Sequence, residues 1–151
     1  MAAYGVARST QDLDVLTLDP VCLAPVTWRA LTAAGVTVDI RHGDEADPLR
    51  GAVHMATATA LVDVIVGRAA WQAGVLQRAV PRSIDGSVVP VASSGDLLVL
   101  KLYAGGPQDA WDIEQLLAAG DRPSLMRHVE TVLPELPEHA QPLWARIVRP
   151  G

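Results

Sequence analysis

The segment Leu61-Val62-Asp63-Val64-Ile65-Val66 sets one carboxylate inside an otherwise apolar run. A carboxylate in such a strand needs a partner, because burying a charge alone is costly. The run closes a longer stretch, 51–66, that is rich in Val, Ala and Thr. These are mostly strand-favouring residues, and the stretch predicts a hairpin or two consecutive strands, the second over 60–66. Any fold open to this chain must seat these strands in a sheet and give Asp63 a reason to be there.

Other elements follow from periodicity and punctuation. Asp12-Leu13-Asp14-Val15-Leu16-Thr17-Leu18 alternates as a strand, and Asp19-Pro20 ends it. Residues 25–34 predict a helix with Pro25 in its first turn and Gly35 past its end. Residues 36–41 predict a strand, 43–48 a polar loop, 69–80 a helix, and 88–91 a short strand. Helices are predicted over 96–104, 107–119, 123–133 and 138–148, and residues 1–8 read as the end of a further helix. Strands with interspersed helices therefore come first, and helices alone come later. The order predicts an α+β fold, a small mixed sheet with a helical C-terminal lobe. Residues 1–95 would form the sheet core and 96–151 the lobe of the same domain.

Composition narrows the function classes. The chain has 151 residues, half of them hydrophobic and 19% charged, which excludes a disordered polyelectrolyte. Twelve Lys and Arg against 17 Asp and Glu give a formal charge of −5. A broad electropositive face for duplex DNA is not expected, though a local basic patch is compatible with these numbers. The single cysteine, Cys22, forbids an internal disulfide. It reads as a small buried hydrophobe, with a thiol nucleophile as the competing reading. Residues 1–5 show no leader pattern, and the most apolar segment, 55–67, is too short to cross a bilayer. The expectation is a cytoplasmic protein with no membrane contact.

Asp12, Asp14 and Asp63 form the main candidate for chemistry. Asp12 and Asp14 share one face of their strand, because side chains alternate with period two. Three carboxylates brought together from neighbouring strands repel one another unless cations lie between them. Mg²⁺ suits such a set, since it binds oxygen and often takes one or two carboxylates plus substrate phosphates. Two such ions about 3.5–4 Å apart can hold the attacking and leaving oxygens of a phosphoryl displacement. An Asp-x-Asp pair by itself is most often just the solvated face of an edge strand, and Asp63 alone equally fits a salt-bridged or capping residue.

The stretch from Tyr4 to Asp14, with Arg8-Ser9-Thr10-Gln11-Asp12-Leu13-Asp14, resembles the signature of the minimal nucleotidyltransferases. The resemblance is to the branch related to the type IV abortive-infection nucleotidyltransferase toxins. In that pattern an Arg-x-Thr-x-Asp-x-Asp segment enters a strand and a later strand gives a third carboxylate, which residues 61–67 match. A further motif has Lys on a helix followed by Asp residues, as in Lys101, Asp109 and Asp112; Gln108 stands where relatives often have a basic residue. The family's first strand and Gly-Gly or Gly-Ser turn would precede Met1, so a shortened core is expected. The resemblance implies a sheet of the nucleotidyltransferase type. It implies a Mg²⁺-dependent transfer of NMP from an NTP to a protein or RNA acceptor, in a toxin–antitoxin or phage-defence setting with a cognate partner protein. Asp12, Asp14 and Asp63 would hold the metal, with Asp63 alternatively the base for the acceptor hydroxyl. Arg8, Ser9, Thr10 and Lys101 would meet the nucleotide, and Asp109 and Asp112 would orient Lys101 or the acceptor. The alternative implied is a catalytically inactive relative that binds or regulates a partner. A metal-dependent phosphohydrolase using the same carboxylates is a third option.

Each of these residues also has a plain structural reading. Lys101 fits a chain that snorkels out of an apolar helix. Asp109 and Asp112 fit compensation of a helix N-terminus. Arg8 fits a surface ion pair. His42, His54, His128 and His139 show no metal-ligand spacing and read as ordinary core or surface histidines. Trp28, Trp71, Trp111 and Trp144 are expected to anchor the core rather than stack bases. Asp44, Asp47 and Arg50 read as a solvated loop, with the mouth of the site as the minority reading.

Overall fold

The computed structural model describes residues 12–84 and 86–149, and it is an α+β protein. Its chain contacts divide into two compact units between Leu76 and Gln77. The expected helix over residues 1–8 lies outside the described residues.

The first unit is built on a four-stranded mixed sheet in the order β1 (Asp12–Thr17), β4 (Leu61–Gly67), β3 (Leu49–Ala56), β2 (Thr37–His42). β1 runs parallel to β4, and the other two pairs are antiparallel. β3 and β4 form the hairpin predicted over 51–66. Its turn is tied by Thr57 N–H to the Ala60 carbonyl at 2.9 Å and by Ala60 N–H to Thr57 Oγ1 at 3.0 Å.

One face of this sheet is apolar. Val53, Val64 and Val66 form its core with Leu23, and Val38, Ile40, Met55 and Val62 pack around them. Leu23 comes from a 3-10 turn, Pro20–Leu23, capped by the Asp19 carboxylate on Val21 N–H at 3.0 Å. It seats on β3 because Gly51 has no side chain; a Cβ there would meet the Arg41 carbonyl and lie 2.8 Å from a Leu23 methyl. The helix predicted over 25–34 forms in two pieces, a 3-10 turn Pro25–Trp28 followed by α1 (Arg29–Ala33). Trp28 is tied down by its indole N–H to the Cys22 carbonyl at 2.7 Å. α2 (Ala70–Gln77) begins where buried Gln72 accepts the N–H groups of Arg68 and Ala69, both at 2.8 Å.

The second unit opens with a strand that the periodicity does not predict. The expected helix over 69–80 ends at Gln77, and β5 (Val80–Ile84) pairs with β6 (Ser87–Val91) in a two-stranded sheet. Two residues, Asp85 and Gly86, separate these strands, and Gly86 has φ +80°. Asp-Gly is a strong signal for such a hairpin turn. Four helices follow: α3 (Ser94–Ala104), α4 (Pro107–Ala119), α5 (Arg122–Val132) and α6 (Ala140–Val148). α3 packs against the other three, and its Leu98, Val99 and Leu102 are fully buried. Ile113, Leu116 and Leu117 of α4, Val129 of α5 and Trp144 of α6 complete that core. No helix among the described residues is long and apolar enough to cross a membrane.

Leu98 lies at the centre of the helical core with no exposed surface. Leu98→Ala is expected to lower the stability of the second unit by about 2–5 kcal/mol. The test is the urea midpoint at unchanged slope; a loss below about 1 kcal/mol would contradict this packing.

Candidate functional site

The second face of the four-stranded sheet is where the predicted acids lie. In the parallel β1–β4 pair Asp14 is the register partner of Asp63. In the antiparallel β4–β3 pair Asp63 faces His54, and in β3–β2 His54 faces Asp39. Register partners share a sheet face, so Asp14, Asp63, His54 and Asp39 form one polar row across four strands. The apolar face described above is the other side of the same strands.

His54 Nδ1 lies 2.7 Å from Asp63 Oδ1, and each side chain is about two-fifths exposed. This answers why a carboxylate interrupts so apolar a strand: Asp63 is half-buried, with an imidazole as its partner. His54 is a part-exposed histidine, as expected, and it is engaged by the very acid that the strand pattern singles out. The link was accessible to sequence reasoning. With Thr57 and Ala60 closing the hairpin, counting back pairs Ala56 with Leu61, Met55 with Val62 and His54 with Asp63. Asp39 is bound by Arg41, Nε to Oδ2 at 3.0 Å, on the exposed edge of the row.

Asp12 occupies β1 two residues before Asp14, as register partner of Leu61, and its side chain lies outside the described residues. Arg8, Ser9 and Thr10 lie outside them altogether. Among the described residues no set of three or more His, Cys, Asp or Glu side chains is grouped to hold a metal ion. What the described residues provide is two aspartates in register on adjacent strands, Asp14 and Asp63. Oxygen donors of that kind fit a hard divalent cation that fills its remaining positions with water and substrate oxygens. A site rich in thiolate or imidazole, as softer metals favour, is not what these residues present.

Asp44 and Arg50 are exposed, in keeping with a solvated loop rather than the mouth of a site. Asp44 and Asp47 fold their own loop: Asp44 Oδ1 accepts from Ala46 and Asp47 N–H at 2.9 Å each, and Asp47 Oδ1 accepts from Leu49 N–H at 2.9 Å. Arg68 clamps the same loop, donating to the carbonyls of Asp44, Glu45 and Leu49 at 3.0–3.2 Å. Cys22 is half-buried, and burial with the nearby Asp19 charge pushes its thiol up. That direction opposes a thiolate nucleophile.

The second unit holds two ion clusters. In the first, Lys101 on α3 reaches Asp109 and Asp112 of α4, each at 2.9 Å. Burial lowers the Lys101 pKa, but the two carboxylates outweigh it and hold the ammonium above its ordinary value. Asp109 also caps α4, accepting Gly106 N–H at 3.0 Å. Lys101 is thus a part-buried ion pair and not a snorkelling side chain, and Asp109 serves both the helix terminus and the lysine.

The second cluster was not anticipated. Asp96 is fully buried at the start of α3. Arg78 binds it through Nε at 3.1 Å and a terminal nitrogen at 2.7 Å, Ser93 Oγ donates at 2.6 Å, and His128 Nε2 lies at 3.0 Å. Ser93 in turn accepts Asp96 N–H at 3.1 Å, so the helix cap and the ion cluster are one structure. His128 is therefore a second histidine paired with an acid. The signal available in the sequence was Ser93 three residues before Asp96 at a helix start. Among the tryptophans, Trp71 and Trp144 are buried as expected, but Trp111 is 45% exposed on α4 and does not anchor the core.

No protein-family model matches this chain, and no curated protein matches it either.

Burial raises the Asp96 pKa, but the hydrogen bonds from Arg78, Ser93 and His128 prevail and hold it below the ordinary carboxylate range. A depressed native pKa contributes stability that is complete above the unfolded value, about 3.9, and is lost as pH falls through the native one. Asp96→Asn is expected to cost about 3 kcal/mol at neutral pH, since it leaves Arg78 without its anion. It is also expected to flatten the loss of stability below about pH 4. Urea unfolding of both proteins between neutral and acid pH checks this; parallel curves would contradict it.

Proposed function

We propose that this protein is a Mg²⁺-dependent nucleotidyltransferase that moves NMP from an NTP to a protein or RNA acceptor. One observation carries the reading: Asp14 and Asp63 are register partners on adjacent parallel strands. Both side chains present oxygen donors on the same sheet face, and such donors suit a divalent cation. The resemblance of residues 4–14 and 61–67 to the family's motifs supports the same reading and adds Asp12 to the set. A toxin–antitoxin or phage-defence role, with a cognate partner protein, belongs to this reading.

In this reaction an acceptor hydroxyl oxygen bonds to the α-phosphorus as the bond to the bridging oxygen breaks. NMP stays on the acceptor, pyrophosphate leaves, and the hydroxyl proton goes to a base. A bound Mg²⁺ supplies neutralisation of the phosphate charge in such a displacement. Asp14 on β1 and Asp63 on β4 would hold such a cation from neighbouring strands. Asp63 is alternatively the group that takes the hydroxyl proton. Either role needs one carboxylate oxygen, and Oδ1 of Asp63 is the one beside His54.

A second reading is favoured by one observation. Lys101, the residue expected to meet nucleotide phosphates, is matched by two carboxylates of its own helical unit. A protein that keeps these contacts for stability alone, and binds or regulates a partner without catalysis, accounts for that arrangement.

Labelled NTP, Mg²⁺ and a panel of protein and RNA acceptors separate the two. The enzyme reading expects label transfer that falls by more than about 100-fold in Asp14→Ala and Asp63→Asn, since even groups that only support a metal ligand are worth about 10–100-fold. Transfer by Asp14→Ala at the rate of the parent would refute it. Absence of transfer and of Mg²⁺-dependent NTP binding in the parent, with Lys101→Met lowering only stability, is the result of the second reading.

A further inference from the structure

We infer that His54 is a positioning residue for Asp63, donating its Nδ1–H to Oδ1 and leaving the second oxygen, Oδ2, for the cation. This inference rests on the metal-binding reading of Asp14 and Asp63. Three features of the sheet lead to it. The 2.7 Å contact is short for a nitrogen–oxygen hydrogen bond, as expected when the acceptor is a carboxylate. The contact is built into the register, because the short turn between Thr57 and Ala60 fixes His54 opposite Asp63. The imidazole stands on the β3 side of Asp63 and Asp14 on the β1 side. Asp63 is therefore flanked by a hydrogen-bond donor on one side and a like charge on the other.

That flanking defines what His54 does. A donor on the opposite side holds one oxygen and so fixes the plane of the group. Ligating carboxylates are commonly held this way by groups one step removed from the metal, and losing such a group weakens metal affinity by about 10–100-fold. The role requires His54 to carry a proton on Nδ1. It does not require His54 to touch metal, nucleotide or acceptor.

The first test needs no metal. Long-range ¹H–¹⁵N correlation on the labelled chain, with His54 assigned by comparison with His54→Asn, is expected to show Nδ1 protonated. An imidazole protonated on Nε2 alone overturns the inference. The second test is a calorimetric Mg²⁺ titration of the parent, Asp63→Asn, His54→Leu and His54→Asn. The parent is expected to bind and Asp63→Asn to lose binding. His54→Leu is expected to bind about 10–100-fold more weakly, and His54→Asn, whose amide nitrogen reaches the place of Nδ1, to stay within a few-fold of the parent. Equal affinity of His54→Leu and parent overturns the positioning role while leaving the site standing. A parent that does not bind Mg²⁺, or that binds it as well with Asp63→Asn, overturns the site itself and the inference with it. If His54→Leu does not fold, the tautomer and the asparagine variant still decide the question.

Discussion

The parallel register of β1 on β4 is the constraint from which the candidate chemistry follows. It sets Asp14 opposite Asp63 and Val15 opposite Val64. A one-residue slip of β1 would turn Asp14 to the opposite face of the sheet and part it from Asp63. On that opposite face Val53, Val64, Val66 and Leu23 close the core. The acids and the core thus lie on opposite faces of the same strands.

The two units use charge differently. In the sheet unit, the acids of the row are part-exposed or exposed, and their partners are weakly held at its outer edge, as in the exposed Asp39–Arg41 pair. In the helical unit, Asp96 and Asp112 are fully buried, and Arg78, His128 and Lys101, which pair with them, belong to the same unit. Buried pairs of this kind do little for net stability compared with an apolar core, but breaking one is expensive. The helical clusters therefore read as structural ties, and the sheet row as a part-exposed polar surface. That contrast is the physical basis for looking to the sheet, and not to the more conspicuous ion networks, for the proposed activity.

Much of this was legible in the sequence. The α+β order, the hairpin over 51–66, the strand carrying Asp14 and the helices from Ser94 onward follow from periodicity and from proline and glycine punctuation. β5 was not legible from periodicity, since Val80-Pro81-Arg82-Ser83-Ile84 has few apolar positions and a proline. Only the Asp-Gly pair beyond it marked the hairpin. The break of the 25–34 helix at Trp28 depends on where its indole finds the Cys22 carbonyl, a tertiary fact. The partners of Asp96 are 18 and 32 residues away, and no local pattern announces such pairings. His54 lies between these cases, because its pairing with Asp63 needs only the turn at 58–59 and a count back along two strands.

The central claim is that Asp14 and Asp63 hold a common divalent cation on the polar face of the sheet. Mn²⁺ added to the ¹⁵N-labelled chain tests it most directly, because the ion broadens the amide signals of nuclei close to it. The account predicts broadening centred on the β1 and β4 residues around positions 14 and 63, lost in Asp14→Ala and in Asp63→Asn. Broadening centred on other residues, or unchanged by either substitution, would contradict it.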